Sequence, residues 1–241
     1  DCLLSRGLGD VYKRQLITLS HGSRHPGAAA GIERLTQATG LRPARAAHLE
    51  FNEPDLTTAA LELVQLGETE AVVVPLLFTQ GYHQRVDVPR ALADAAQASH
   101  LSLHLAPGLG TGEDLARVLA SRTRPDDAHV VIYSVGSSDT AANDAIRELA
   151  HRTFALTGVP TTVEFATRGG REGIVSLCRE HQDPSRVRVI PLFVTEGLLL
   201  DRLAGVPATA PALLALISRA SLQIAFTTPV APHRRGSRHA N

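Results

Sequence analysis

From Leu16 onward the apolar and polar positions alternate in blocks. Short segments apolar on both faces are separated by stretches with helical spacing. Leu16–Ser20 (LITLS) predicts a buried strand, and residues 26–37 a helix. Ala46–Phe51 predicts a second strand. A helix over Leu56, Ala60, Leu63 and Val64 follows, opened by Pro54 and closed by Gly67, the usual asymmetry of helix ends. Ala71–Phe78 (AVVVPLLF) predicts the most deeply buried strand, residues 86–98 a helix, Leu101–Leu105 a fourth strand, and residues 112–122 another helix. Strands apolar on both faces that alternate with helices predict a parallel sheet covered on both sides.

The same order then recurs. Val130–Ser134 followed by Val135-Gly136-Ser137 repeats LITLS followed by His21-Gly22-Ser23 at an offset of 114 positions. Glu50-Phe51 maps to Glu164-Phe165 at the same offset, and Val73–Gly81 maps to Val189–Gly197 at 116. Leu101–Leu105 corresponds to Leu222–Phe226, after which the chain becomes polar and unpatterned. This predicts an α/β protein of two tandem flavodoxin-like or Rossmann-like domains with parallel four-stranded sheets, produced by internal duplication. The expected boundaries are 16–125 for a domain carrying the site and 126–241 for a degenerate repeat with an irregular tail, joined near Arg124-Pro125-Asp126-Asp127. Residues 1–15 (DCLLSRGLGDVYKRQ) lack any period and resemble a translated adapter, so the expectation is a non-native leader outside the fold.

Composition narrows the function. The 241 residues carry 24 basic and 24 acidic side chains, and this balance argues against broad nucleic-acid or anionic-membrane binding. No apolar run approaches the roughly 20 residues of a membrane span. Two cysteines, Cys2 and Cys178, make no disulfide framework, which predicts a reducing compartment. Aromatic residues are scarce at 4%, which disfavours stacking platforms. GxGxxG, Walker, GxSxG and HExxH patterns are absent.

In an open α/β sheet, ligands gather beyond the carboxyl ends of the strands, at the point where the strand order reverses. His21 follows the first strand, Glu50 ends the second, and His83 follows the third. Two imidazoles and a carboxylate suit a borderline metal ion and proton transfer. The duplication sharpens the point, because the scaffold persists in the second copy while His21 becomes Val135 and His83 becomes Leu199. The sheet therefore does not need these histidines. Glu164, however, still matches Glu50. Gly22 and Gly81 predict tight turns, Ser23 offers a backbone amide to an anion, and Arg24 and Arg85 can fork onto carboxylates. A competing role for Arg85 is an ion pair with Asp87. His48 and His104 read as strand residues in core or face positions, and His25 as a weaker candidate for lining the crevice.

The turn His21-Gly22-Ser23-Arg24, the segment LEFNEP after the second strand and PLLFTQGYHQRVDVP after the third closely resemble the class II tetrapyrrole chelatases, specifically the sirohydrochlorin cobaltochelatase/ferrochelatase family. The resemblance runs from Leu16 to about Phe226. It implies insertion of Co²⁺ or Fe²⁺, with Ni²⁺ as an alternative, into a carboxylate-rich tetrapyrrole for cobalamin or sirohaem synthesis. It also implies a cleft between two similar domains in a cytoplasmic monomer, a metal ion that is substrate, and no tightly bound cofactor. The family histidines fall on His21 and His83 and the family glutamate on Glu50, as metal and catalytic residues. Ser23, Arg24, Gly81, Tyr82 and Arg85 fall at the substrate, with Arg168 or Arg171 as further cations across the cleft. A non-catalytic tetrapyrrole or metal carrier on the same fold is the alternative.

Overall fold

The computed structural model describes residues 15–79, 81 and 83–206, with the side chain of His83 outside that description. The first half comprises β1 (Gln15–Ser20), α1 (Ala28–Ala38), β2 (Ala44–His48), α2 (Leu56–Gln65), β3 (Glu70–Pro75), α3 (Val88–Ser99), β4 (Ser102–Leu105) and α4 (Glu113–Ala120). The second comprises β5 (His129–Ser134), α5 (Thr140–Thr157), β6 (Thr161–Phe165), α6 (Gly170–Glu180) and β7 (Val187–Pro191). All pairings are parallel, in the orders β2-β1-β3-β4 and β6-β5-β7. The strand expected at Leu222–Phe226 and the polar tail lie outside the described residues. Residue 15, expected in the leader, is the first residue of β1, where it pairs with Ala71.

The strand pleat sends alternate residues to opposite faces and so creates three apolar layers. Leu16, Val72 and Val74 on one face of the first sheet share a cluster with Ile32 and Leu35 of α1, Leu115 and Leu119 of α4, and Ile146 and Leu149 of α5. Val130, Ile132 and Ile190 of the second sheet complete that cluster, so the helices between the sheets form one core continuous across both halves. Ile17, Leu19 and Val73 point the other way, onto α2 and α3. Val131, Tyr133 and Val189 do the same onto α6. The connecting segment is anchored by a buried pair, with Arg188 donating to both Asp127 carboxylate oxygens at 3.1 and 3.2 Å.

Two strand ends differ from the sequence reading. β2 stops at His48, and the chain beyond it stays tied to β1 by Leu49 N–H to Ser20 O (2.9 Å) and Glu50 N–H to His21 O (3.0 Å). Glu50 thus sits in the turn rather than in the strand. β3 ends at Pro75 rather than Phe78, with Leu76 N–H still donating to Leu19 O at 2.8 Å.

Candidate functional site

The carboxyl ends of β1, β2 and β3 face those of β5 and β7 across a cleft of about 760 Å³. That volume fits a large organic ligand. His21, Ser23 and Arg24 line one wall, and Gly81 and Gln84 extend it past β3. The opposite wall is Val135 to Ser138 and Leu192 to Leu199. At the position equivalent to His21, the second half therefore presents the aliphatic Val135.

The His21 turn is built around Gly22. Its φ is +90°, and a methyl group on its Cα would lie 1.7 Å from the Glu50 carbonyl oxygen, so only glycine lets β1 turn so close to the β2 loop. Gly22 N–H donates to Ser20 Oγ at 3.2 Å, and Ser23 N–H donates to Asn52 Oδ1 at 2.8 Å. Ser20 Oγ also bonds Nδ1 of the buried His48 at 2.7 Å. Burial pushes the His48 pKa down, which keeps its ring neutral near pH 7.

Phe51 is the residue the sequence reading missed. It has φ +65°, uncommon for a bulky side chain, and is half exposed. Its ring stacks on His21 (centroids 6.2 Å, planes 29° apart), and the Arg24 guanidinium lies 4.8 Å above it. Arg24, Phe51 and His21 thus form a layered cluster at the cleft edge. No periodicity announces it, because a left-handed Phe is imposed by the turn around it. Asn52 and His48 also line the cleft. Asn52 was legible only as part of NEP, and His48 read as core.

The other expected residues divide. Glu50 is exposed and is not among the described lining residues. Its counterpart Glu164 is partly buried with its carboxyl against Gly173, where an added methyl would lie 2.6 Å away. Burial raises the Glu164 pKa. The repeat therefore aligns two glutamates in different environments. Gly81 has Thr79 Oγ1, at 4.0 Å, as the nearest described atom to an added methyl, so space there does not demand glycine. Tyr82 and the His83 side chain lie outside the described residues, although His83 opens a π-helical turn, His83–Asp87, that leads into α3. Arg85, in that turn, pairs with Asp139 of the second half at 3.1 Å. Arg168 donates to Ser137 O at 2.9 Å, while Arg171 lines a separate hollow with Arg202 and Glu172, so neither lines the main cleft. Among the described residues no three His, Cys, Asp or Glu side chains converge to hold a metal ion.

Residues 15–125 match the CbiX family model. The sirohydrochlorin cobaltochelatase of Priestia megaterium is 23% identical over 215 residues, covering 81% of this chain and 69% of that protein. The sirohydrochlorin ferrochelatase of Bacillus subtilis is 24% identical over 206 residues, covering 79% and 78%. The sirohydrochlorin cobaltochelatase of Saccharolobus solfataricus is 38% identical over 81 residues, which is 31% of this chain and 63% of that one. The fold matches the sirohydrochlorin chelatase SirB of Bacillus subtilis subspecies spizizenii in complex with cobalt, with a TM-score of 0.68 at 20% identity over 90% of this chain and 94% of that one.

Proposed function

The chain belongs to the class II tetrapyrrole chelatase family, and from that premise we propose that it inserts a divalent metal ion, Co²⁺ or Fe²⁺, into sirohydrochlorin in the cytoplasm. The observation that carries the proposal is the position of His21 at the end of β1, inside a cleft whose facing wall carries Val135 at the equivalent place. Insertion requires loss of water from the ion and loss of two pyrrole N–H protons from the macrocycle. A neutral imidazole accepts a proton or binds the ion transiently. In this reading His21 and His83 share those tasks, with Glu50, exposed outside the described lining, as the carboxylate that passes the ion or the released protons between solvent and the cleft. The metal is substrate, so the site must bind it weakly and let it go.

The cleft suits a flat, amphipathic ring. Phe78, Val135, Phe193, Val194 and Leu198 supply apolar surface for its face. Arg24, held over Phe51, is exposed at the edge, where the peripheral carboxylates of the ring would lie. The test is metal-resolved turnover, in which purified chain, sirohydrochlorin and Co²⁺, Fe²⁺ or Ni²⁺ are mixed and followed by absorbance. Acceleration over the uncatalysed rate with at least one ion is expected. Tight binding of the tetrapyrrole without acceleration by any ion would contradict the proposal and indicate a carrier.

A further inference from the structure

The duplication gives each residue of one half a counterpart in the other. His25 corresponds to Asp139 (25 + 114) and Arg85 to Asp201 (85 + 116). The halves are joined by Arg85 to Asp139 at 3.1 Å and by His25 to Asp201 at 3.4 Å. Under the repeat these two contacts exchange, so the halves pack about an approximate two-fold axis. The segment after the third strand of each half reaches the turn that opens the first helix of the other. The local construction is also equivalent, because His25 Nδ1 accepts from Gly27 N–H at 3.0 Å and Asp139 Oδ1 accepts from Ala141 N–H at 3.0 Å.

The polarity is not equivalent. In one contact the strand-end segment carries a guanidinium and the helix-start turn a carboxylate; in the other the strand-end segment carries the carboxylate and the turn an imidazole. A third contact, Arg34 to Glu196 at 3.3 Å, has Glu148 and Gln80 as counterparts. Gly31 provides a notch in which Thr195 Oγ1 sits 1.9 Å from where a methyl would be, while the Thr195 hydroxyl donates to Ala28 O at 3.2 Å. The counterpart of Gly31 is Ala145, which carries that methyl.

We infer that this face is heterotypic: each half accepts the other half and rejects a copy of itself. Two second halves paired in the same way would set Asp201 against Asp139 and Glu196 against Glu148, and would put the Ala145 methyl in the Thr195 seat. Two first halves would set Arg85 against the His25 imidazole. Such charges contribute less to raw affinity than to the penalty on the wrong partner. Taken with the proposed function, every cleft then holds one histidine-bearing wall and one aliphatic wall.

The test exchanges a residue for its own counterpart in the full chain and reads thermal unfolding, not activity. Arg85→Asp imitates the pairing of two second halves, and Asp201→Arg that of two first halves. Arg85→Asp should lower the melting temperature by about 2–4 °C, the loss of one partly exposed pair plus a like-charge contact, and Asp201→Arg by about 1–2 °C, the loss of a carboxylate that faces an imidazole. Asp139→Asn, which still caps α5, should recover at least half of the first loss. His25→Asp, which recreates the Asp139 arrangement, should do the same for the second. Exchanges that leave the melting temperature unchanged, or losses that neither second substitution recovers, would overturn the inference. Should either exchange fail to fold alone, the double variant Asp201→Arg/His25→Asp, folded and melting near the parent, supports it, and one that also fails to fold refutes it.

Discussion

Replacing Gly22 by alanine tests the geometry of the His21 turn directly. The new methyl would lie 1.7 Å from the Glu50 carbonyl oxygen and 2.8 Å from its carbon. Contacts under 3.0 Å are not tolerated, so the β1 and β2 ends must separate by at least the 1.3 Å difference (3.0 − 1.7). Three hydrogen bonds hold those ends at their present spacing: Leu49 N–H to Ser20 O at 2.9 Å, Glu50 N–H to His21 O at 3.0 Å, and Ser23 N–H to Asn52 Oδ1 at 2.8 Å. The positive φ adds about 1–2 kcal/mol for any side chain, and one broken hydrogen bond adds about 1 kcal/mol. The expected loss is therefore about 2–3 kcal/mol of stability. A catalytic group displaced by about 1 Å loses roughly 10²-fold in rate, so chelation should fall by about that factor. Gly67 separates strain from clash, because it has φ +85° and nothing within 4 Å, at the end of the sheet away from the cleft. Gly67→Ala should cost about 1–2 kcal/mol and leave the rate intact. Urea unfolding and chelation kinetics on the two variants decide the matter. Equal rates in both variants would refute the argument that this close approach positions His21.

Other outcomes follow from single contacts. Asp127→Ala strands the buried Arg188 guanidinium and should cost about 3–5 kcal/mol in urea unfolding; a loss under 1 kcal/mol would show that the pair is dispensable. His48, with its folded pKa pushed below the unfolded 6.5, binds fewer protons folded than unfolded in that window. Its contribution is therefore complete above pH 6.5 and falls as the pH drops toward the depressed value. Wild-type melting temperature should drop between pH 7.5 and 5.5 by more than that of His48→Phe, and equal slopes would exclude His48 as the cause. Glu164 has the opposite sign, because its raised folded pKa favours the fold below 4.5 and that contribution is lost as the pH rises through the raised value. Arg24→Gln should raise KM for sirohydrochlorin more than it lowers kcat, and added salt should mimic it in the parent; a kcat loss at constant KM would move Arg24 from anchoring to chemistry.

The parallel topology is legible because short segments such as Leu16-Ile17 and Val72–Val74, apolar on both faces, alternate with stretches of helical spacing, as a sheet covered on both sides requires. The place of the candidate site was legible for the same reason: residues just past such strands fall at the strand ends. The local geometry there was not. The sequence reads as a strand over Ala46–Phe51, yet β2 ends at His48 and Phe51 adopts φ +65°, a conformation set by the turn from Glu50 to Pro54 and not by any spacing. Arg85 pairs with Asp139, 54 residues away, a partner that no local spacing offers. Contacts of that kind depend on how the halves dock, which neither half encodes alone. His48 reads as a core residue, and it is buried, but its bond to Ser20 ties it to the cleft wall.

In the proposed function the histidines of the first half perform metal insertion without help from equivalents in the second. The most direct measurement is the rate of cobalt insertion into sirohydrochlorin by the parent and by His21→Ala/His83→Ala, with folding of both verified by thermal unfolding. Loss of an imidazole base costs about 10²–10⁴-fold, so the double variant should fall by at least that factor while melting within a few degrees of the parent. A folded double variant that inserts cobalt at the parental rate would contradict the assignment.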